Sequence, residues 1–425
     1  KRKLVSHIFS QQNVLAFEPH IRRHVRNFCA QWDARCAAAA KGESSSDWEA
    51  RDGRAWFDCL PHYNYLAFDI IGDLAFGSPF GMISAQRDSA PMIEHTPSID
   101  NKSTRVVKHV PAIKILNDRG DYAASLGVLP VWVRPWAKRV PWYARGNQAV
   151  QNLAGLAVAA VAKRLEEGLP DEDVDEVDEG EDEGGKVKRK RTDLLEKLLQ
   201  GKDENGAPMG REELTAEALT QLIAGSDTTS NSSCAITYYL AANPRAQRAL
   251  QSELDASLPS AGSSVSPATS YDAVKSLPYL NACINEGLRL HSTSAMGLPR
   301  VIPPGTELQV CGETFGPGCV LSVPSFTVHR SPEVWGEDVD AFRPERWFDD
   351  GAGKMNKAFN PFSYGPRACV GRNLASMELL IIISSIFRRY EFVLLKPDER
   401  LATREGFLRK PLNCYVGMKR REASF

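Results

Sequence analysis

The stretch FSYGPRACVGRNLA, residues 362–375, sets one cysteine, Cys369, between Gly365 and Gly371, with Arg367 two residues before it. An apolar helix-forming run, Leu374–Phe387, follows at once. A cysteine at the start of a helix meets unsatisfied N–H groups and the positive end of the helix dipole. Both favour thiolate over thiol, and a thiolate is a strong, soft ligand for iron. The two glycines let the backbone turn tightly and a flat ligand come close. Arg367 supplies a fixed cation suited to a carboxylate, and Phe362 can shield the sulfur from water. A lone cysteine in such a turn is more often a packing residue. The ordered set Phe362, Gly365, Arg367, Cys369, Gly371 is much rarer.

Two further sets stand out. INEGLRL, residues 284–290, spaces Glu286 and Arg289 for pairing on one helix face. Most such pairs are surface decoration. Here Leu280, Ile284, Leu288 and Leu290 surround the pair, so burial is expected, with Arg346 of FRPERW as a further partner. AGSDTTS, residues 224–230, places poor helix formers mid-way along a long helix. A hydroxyl there can bond the carbonyl four residues back and loosen the helix. A groove beside Ala224 and Gly225 is expected to hold water or dioxygen.

The three sets together resemble the cytochrome P-450 (haem-thiolate monooxygenase) superfamily. Phe362 to Gly371 matches its F-x-x-G-x-R-x-C-x-G signature, and Ala224–Thr229 its oxygen-side helix motif. The resemblance spans nearly the whole chain. It implies haem b with Cys369 as axial thiolate, framed by Phe362, Gly365 and Gly371. It implies that Thr228 hydrogen-bonds the dioxygen being activated and that Asp227 relays protons. Arg367, Arg300 of GLPRVIP and Arg2 would hold the haem carboxylates. Glu286, Arg289 and Arg346 would form a core network supporting the cysteine loop. His329 in TVHRSP is a position typical of the family, with no role assigned. FDIIGDLAFGSPFGM and ILNDRGDYAASLGVLPVWVRPW further resemble a fungal group of benzoate 4-hydroxylases.

These motifs need elements to position them. The 425 residues carry 52 basic and 53 acidic side chains, which gives no argument for nucleic acid as a partner. The cysteines show no C-x-x-C pair or Cys/His cluster, which argues against both a zinc site and a disulfide framework. No apolar run is long enough to span a bilayer. Helical spacing is expected over 1–40, 59–76, 147–167, 211–243, 279–291 and 374–387. Residues 111–146 are rich in Pro, Trp and Val and show no clear period; such apolar loops often touch ligands or membranes. Short strands are expected late, within 299–323 and in the tail. Ten acidic residues over 171–183, then five basic ones over 186–191, predict a flexible charged loop over about 168–192. The fold class is therefore mainly α (α+β), a large helical region with a small β region. By resemblance, residues 1–425 form a single catalytic domain. The chain opens inside a helical pattern without Met, so preceding sequence is expected.

The resemblance implies a monooxygenase that inserts one atom of O2 into a small aromatic acid such as benzoate. Its electrons would come from a separate NADPH–cytochrome P-450 reductase, since no flavin or nicotinamide site is visible. Candidate pocket walls are Leu222 to Thr229, the loop STSAMGLP (292–299) and residues 406–408, with Ser292, Thr293 and Ser294 able to hold a small polar group. Membrane contact in the full-length protein, on the cytoplasmic face of the endoplasmic reticulum, would follow if a preceding segment carries an anchor. The alternatives are an inactive truncated fragment, a haem-thiolate isomerase or dehydratase, and a haem-binding sensor. An intact Asp227–Thr228 pair speaks against the isomerase.

Overall fold

The structure is a computed structural model describing residues 2–96, 104–168, 193–201, 206–259, 266–349 and 351–422. The charged loop, Gly168 apart, lies outside the described residues. Helices dominate, with small sheets between them. The chain divides into two compact units. One comprises Lys1–Trp32, Pro61–Ser230 and Val370–Glu378; the other comprises Asp33–Leu60, Asn231–Cys369 and Leu379–Phe425.

In the first unit, helix Leu60–Phe76 is buried without interruption from Leu66 to Phe76. Its two acids are therefore inside and need partners. Asp69 accepts the backbone N–H groups of Met82 and Ile83 at 3.0 and 2.9 Å, capping the short helix Met82–Ala85. Asp73 accepts from Arg23 at 2.6 Å and lies 2.9 Å from His24 Nε2. Residues 111–146, which show no period, become helix Ala112–Gly127, a short helix Arg134–Ala137 and the first turn of helix Pro141–Glu167. Their irregularity reflects proline placement: Pro135 and Pro141 each start a new helix. The segment leaves Val128, Val131, Trp132, Trp136 and Trp142 exposed.

Helix Arg211–Ala242 runs unbroken through AGSDTTS. The expected back-bonds are present, from Ser226 Oγ to Leu222 O and Thr228 Oγ1 to Ala224 O, each 2.7 Å. A Cβ on Gly225 would stand 2.8 Å from Ile71 Cδ1, so this glycine lets helix Leu60–Phe76 pack closely. Ala224 is exposed.

Strands do not cluster late only. In the first unit Ala90–Thr96 pairs antiparallel with Thr104–Val110. In the second, a four-stranded sheet runs Glu49–Arg51, Arg54–Asp58, Tyr415–Arg420, Tyr390–Leu394. Its first two strands turn at Asp52-Gly53, both at positive φ, a hairpin signal present in the sequence. Arg54–Asp58 alternates between buried and half-buried residues, as a strand covered on one face does. The second unit also holds helices Pro244–Ser257 and Pro278–Leu290, small two-stranded sheets, and most of the very apolar helix Arg372–Arg389.

Candidate active site

Cys369 lies just ahead of helix Arg372–Arg389. Its N–H donates to Phe362 O at 2.8 Å, closing the loop back on its first residue. Within the loop Ser363 and Gly365 stand at φ +60° and +74°, the left-handed region that glycine enters at no cost. Tyr364 Oη donates to Phe359 O at 2.6 Å and clasps the loop from outside. Cys369 is exposed, whereas Cys29, Cys36, Cys59, Cys234, Cys283 and Cys414 are buried. A packing cysteine would be with the latter group.

The loop is anchored from below by a buried ionic network in the same unit. Glu286 Oε1 accepts from Arg289 Nη2 at 2.9 Å, Arg346 Nε at 2.8 Å and the Arg343 backbone at 3.1 Å. Its Oε2 accepts from Arg289 Nε at 2.9 Å and Trp347 Nε1 at 3.2 Å. All three ionised side chains are fully buried. The guanidiniums spend their other donors on carbonyls. Arg289 Nη1 reaches His329 O and Val339 O, and Arg346 Nη1 reaches Trp335 O and the Asp338 carboxylate. Full pairing of this kind offsets the cost of burying charge.

Sequence reasoning assigned His329 no role; the structure gives it one. Its Nε2 accepts the Asn360 N–H at 2.9 Å, two residues ahead of Phe362. Because a backbone N–H only donates, Nε2 is bare and Nδ1 carries the proton. Nδ1 lies 2.8 Å from Ser292 Oγ and 3.2 Å from Arg289 O. Burial pushes the imidazole pKa down to about 4, holding it neutral. Ser292, expected in the pocket wall, is thus spent: it is buried and also donates to Leu288 O. Thr293 and Ser294 are half-buried.

In the first unit, Asp227 is buried and Thr228 half-buried. Next to them Thr229 Oγ1 donates to Glu378 Oε2 at 2.8 Å. Glu378 was missed by the sequence reading, although a lone acid in the run LASMELLIIISS is a signal. Burial raises its carboxyl pKa to about 7, and the Thr229 bond only partly opposes this. A carboxyl so placed can hold or release a proton near neutrality.

The donor set fits a haem. The thiol is exposed, and no atom lies within 4 Å of where a Cβ on Gly365 or Gly371 would stand. Arg300 and Arg367 are exposed, and among the described residues neither has a carboxylate partner. Arg300 instead donates to the carbonyls of Leu298 and Pro299. Arg2 is exposed in the first unit.

Comparison with known proteins agrees. The family model for cytochrome P450 matches residues 1–418. Over 99% of its length the chain is 47% identical to benzoate 4-monooxygenase bphA of Aspergillus niger, covering 75% of that protein. It is 30% identical to cytochrome P450 monooxygenase ACRTS1 of Alternaria alternata, over 87% of this chain and 90% of that one. A match of this extent brings haem b on a cysteine thiolate, O2, an organic substrate and a redox partner that delivers electrons. The chain belongs to the cytochrome P450 family of haem-thiolate monooxygenases.

Proposed function

We propose that this enzyme inserts one atom of O2 into the para position of benzoate or a closely related small aromatic acid. The observation that carries the oxygen-inserting reading is Cys369, exposed in a loop whose backbone is tied to Phe362. The acid substrate is supported by the A. niger relative, whose name is that of a benzoate 4-monooxygenase.

Haem bound at Cys369 supplies the activation of dioxygen, which a thiolate ligand favours by donating electron density. In this reading Phe362, Gly365 and Gly371 shape the ligand loop. Arg367, Arg300 and Arg2 neutralise the haem carboxylates. Thr228 already donates its proton to Ala224 O, so its oxygen is left to accept a hydrogen bond. Asp227 beside it supplies protons. The hydroxyls of Thr293 and Ser294 hold the substrate carboxylate, and the exposed Phe407 contributes an apolar wall. Residues 1–425 act as one catalytic domain.

Electrons come from an NADPH–cytochrome P450 reductase. The enzyme works at the cytoplasmic face of the endoplasmic reticulum membrane. Exposed Trp132, Trp136 and Trp142, interleaved with Arg134, Lys138 and Arg139, support membrane contact. Tryptophan and basic side chains together favour the lipid headgroup region.

Haem-loaded protein titrated with benzoate should show a type I spectral shift. With reductase and NADPH it should form 4-hydroxybenzoate. No shift at saturating benzoate rejects the substrate. Cys369→Ser should lose the thiolate-type ferrous–carbonyl spectrum, and retention of that spectrum rejects the ligand.

A further inference from the structure

Three cysteines far apart in the chain meet inside the second unit. The Sγ atoms of Cys59, Cys234 and Cys414 all lie within 4.8 Å of one another. Their residues are 0%, 0% and 3% exposed. Two adjoin the ends of the two central strands of the four-stranded sheet, Cys59 just after Arg54–Asp58 and Cys414 just before Tyr415–Arg420. Tyr415 pairs with Asp58 across the strands, and the Cys59 N–H donates to Cys414 O at 3.0 Å. Cys59 and Cys414 therefore stand opposite each other at the strand ends. Cys234 comes from helix Arg211–Ala242. Asp58 Oδ1 accepts the backbone N–H groups of Cys414 and Leu60, at 2.8 and 3.1 Å, and locks the strand end in register. None of the three belongs to the haem-ligand loop.

We propose that Cys59, Cys234 and Cys414 form a second metal site, a three-thiolate centre for one soft divalent d10 cation such as zinc. Thiolates around such an ion, with metal–sulfur bonds of about 2.3 Å, sit about 4 Å from each other. The sulfurs need only a small inward movement to reach that spacing. On binding, three S–H protons leave to solvent and three metal–sulfur bonds form, with no change of oxidation state. The charge of the bound site is then −1, whereas a monovalent ion would leave −2. Burial penalises the larger charge, so it selects the divalent ion. A small non-protein ligand completes the tetrahedron that zinc prefers. The backbone bonds to Asp58 supply the outer support that metal ligands commonly have.

Cadmium is the probe, because thiolate–cadmium charge transfer absorbs in the near ultraviolet. Holoenzyme is purified from cells grown with cadmium, washed with chelator, and its metal content and near-ultraviolet absorbance are measured. About one equivalent per chain with the charge-transfer band is expected, as is the same result in the Cys311→Ala/Cys319→Ala variant. Cys234→Ala and, separately, Cys59→Ala should lose both signals while keeping the haem spectrum of the parent. Cadmium-free parent, equal metal in Cys234→Ala, or a Cys59–Cys414 disulfide found by mass spectrometry overturns the proposal. Should Cys234→Ala fail to load haem, Cys59→Ala decides, and if that also fails, cadmium NMR of the parent reads the number of sulfur ligands directly. Fewer than three would overturn it.

Discussion

His329 Nε2 accepts the backbone N–H of Asn360 at 2.9 Å, and so joins the buried arginine network to the segment that leads into the cysteine loop. Its ring also packs 5.5 Å from Phe359, which in turn lies 4.8 Å from Trp347. Trp347 donates to Glu286. The loop that presents Cys369 is thereby referenced to Glu286 by both a polar and an aromatic path.

Replacing His329 with phenylalanine keeps the ring and removes the acceptor. The half-buried Asn360 N–H loses its partner, at a cost of about 1 kcal/mol. We expect a lower unfolding midpoint and weaker haem retention, with secondary structure unchanged. Unaltered haem retention would show that the loop stands without this bond. The same residue gives a pH dependence. Its folded pKa of about 4 lies below the ordinary 6.5, so its contribution to stability is complete above 6.5 and is lost as pH falls towards 4.

Glu286→Gln leaves two fully buried guanidiniums facing a neutral amide. Breaking a buried pair in this way costs about 3–5 kcal/mol. The variant should purify largely without haem, as its ratio of Soret to protein absorbance will report. Near-normal haem content would mean that Asp338, which also pairs with Arg346, suffices.

Glu378 carries the opposite sign from His329. Its folded pKa is raised from 4.5 to about 7. Its neutral form therefore suits the fold: stability is full below pH 4.5 and falls as pH rises to 7. The shift corresponds to a loss on the order of 3 kcal/mol above neutrality. Glu378→Gln can keep the bond from Thr229 and cannot ionise. Compared with the parent it should gain stability between pH 5 and 8, measured by denaturant unfolding at each pH. A constant difference across that range would show that Glu378 does not titrate there.

The exposed tryptophans give a surface test. Trp132, Trp136 and Trp142 changed together to serine should sharply reduce sedimentation with vesicles containing anionic lipid. Benzoate turnover in detergent should stay close to that of the parent. Undiminished vesicle binding would assign the membrane contact elsewhere.

Much of the site was legible in the chain itself because its main signatures are local. The spacing of Phe362, Gly365, Arg367, Cys369 and Gly371 describes one loop. That of Glu286 and Arg289 describes one helical turn, and AGSDTTS another. The partnership with Arg346 was also readable, since FRPERW is itself a compact motif. What Gly225 packs against was not readable: a glycine in a helix marks either open space or close packing, and the position of Ile71 shows close packing on one side.

Sequence alone thus determined the family and the mainly α class, and it supplied the candidate ligand loop and oxygen-side motif, because each rests on residues within a turn or two of one another. Tertiary structure decided the rest. Thr229 meets Glu378 across 149 residues and His329 meets Asn360 across 31. Cys59, Cys234 and Cys414 converge from the ends of two strands and a helix. Arg54–Asp58 becomes an inner strand of a four-stranded sheet because Tyr415–Arg420 pairs with it. Hydrogen bonds act over a few ångströms in space whatever the distance along the chain, and a carboxyl's pKa answers to burial that no short window of sequence records.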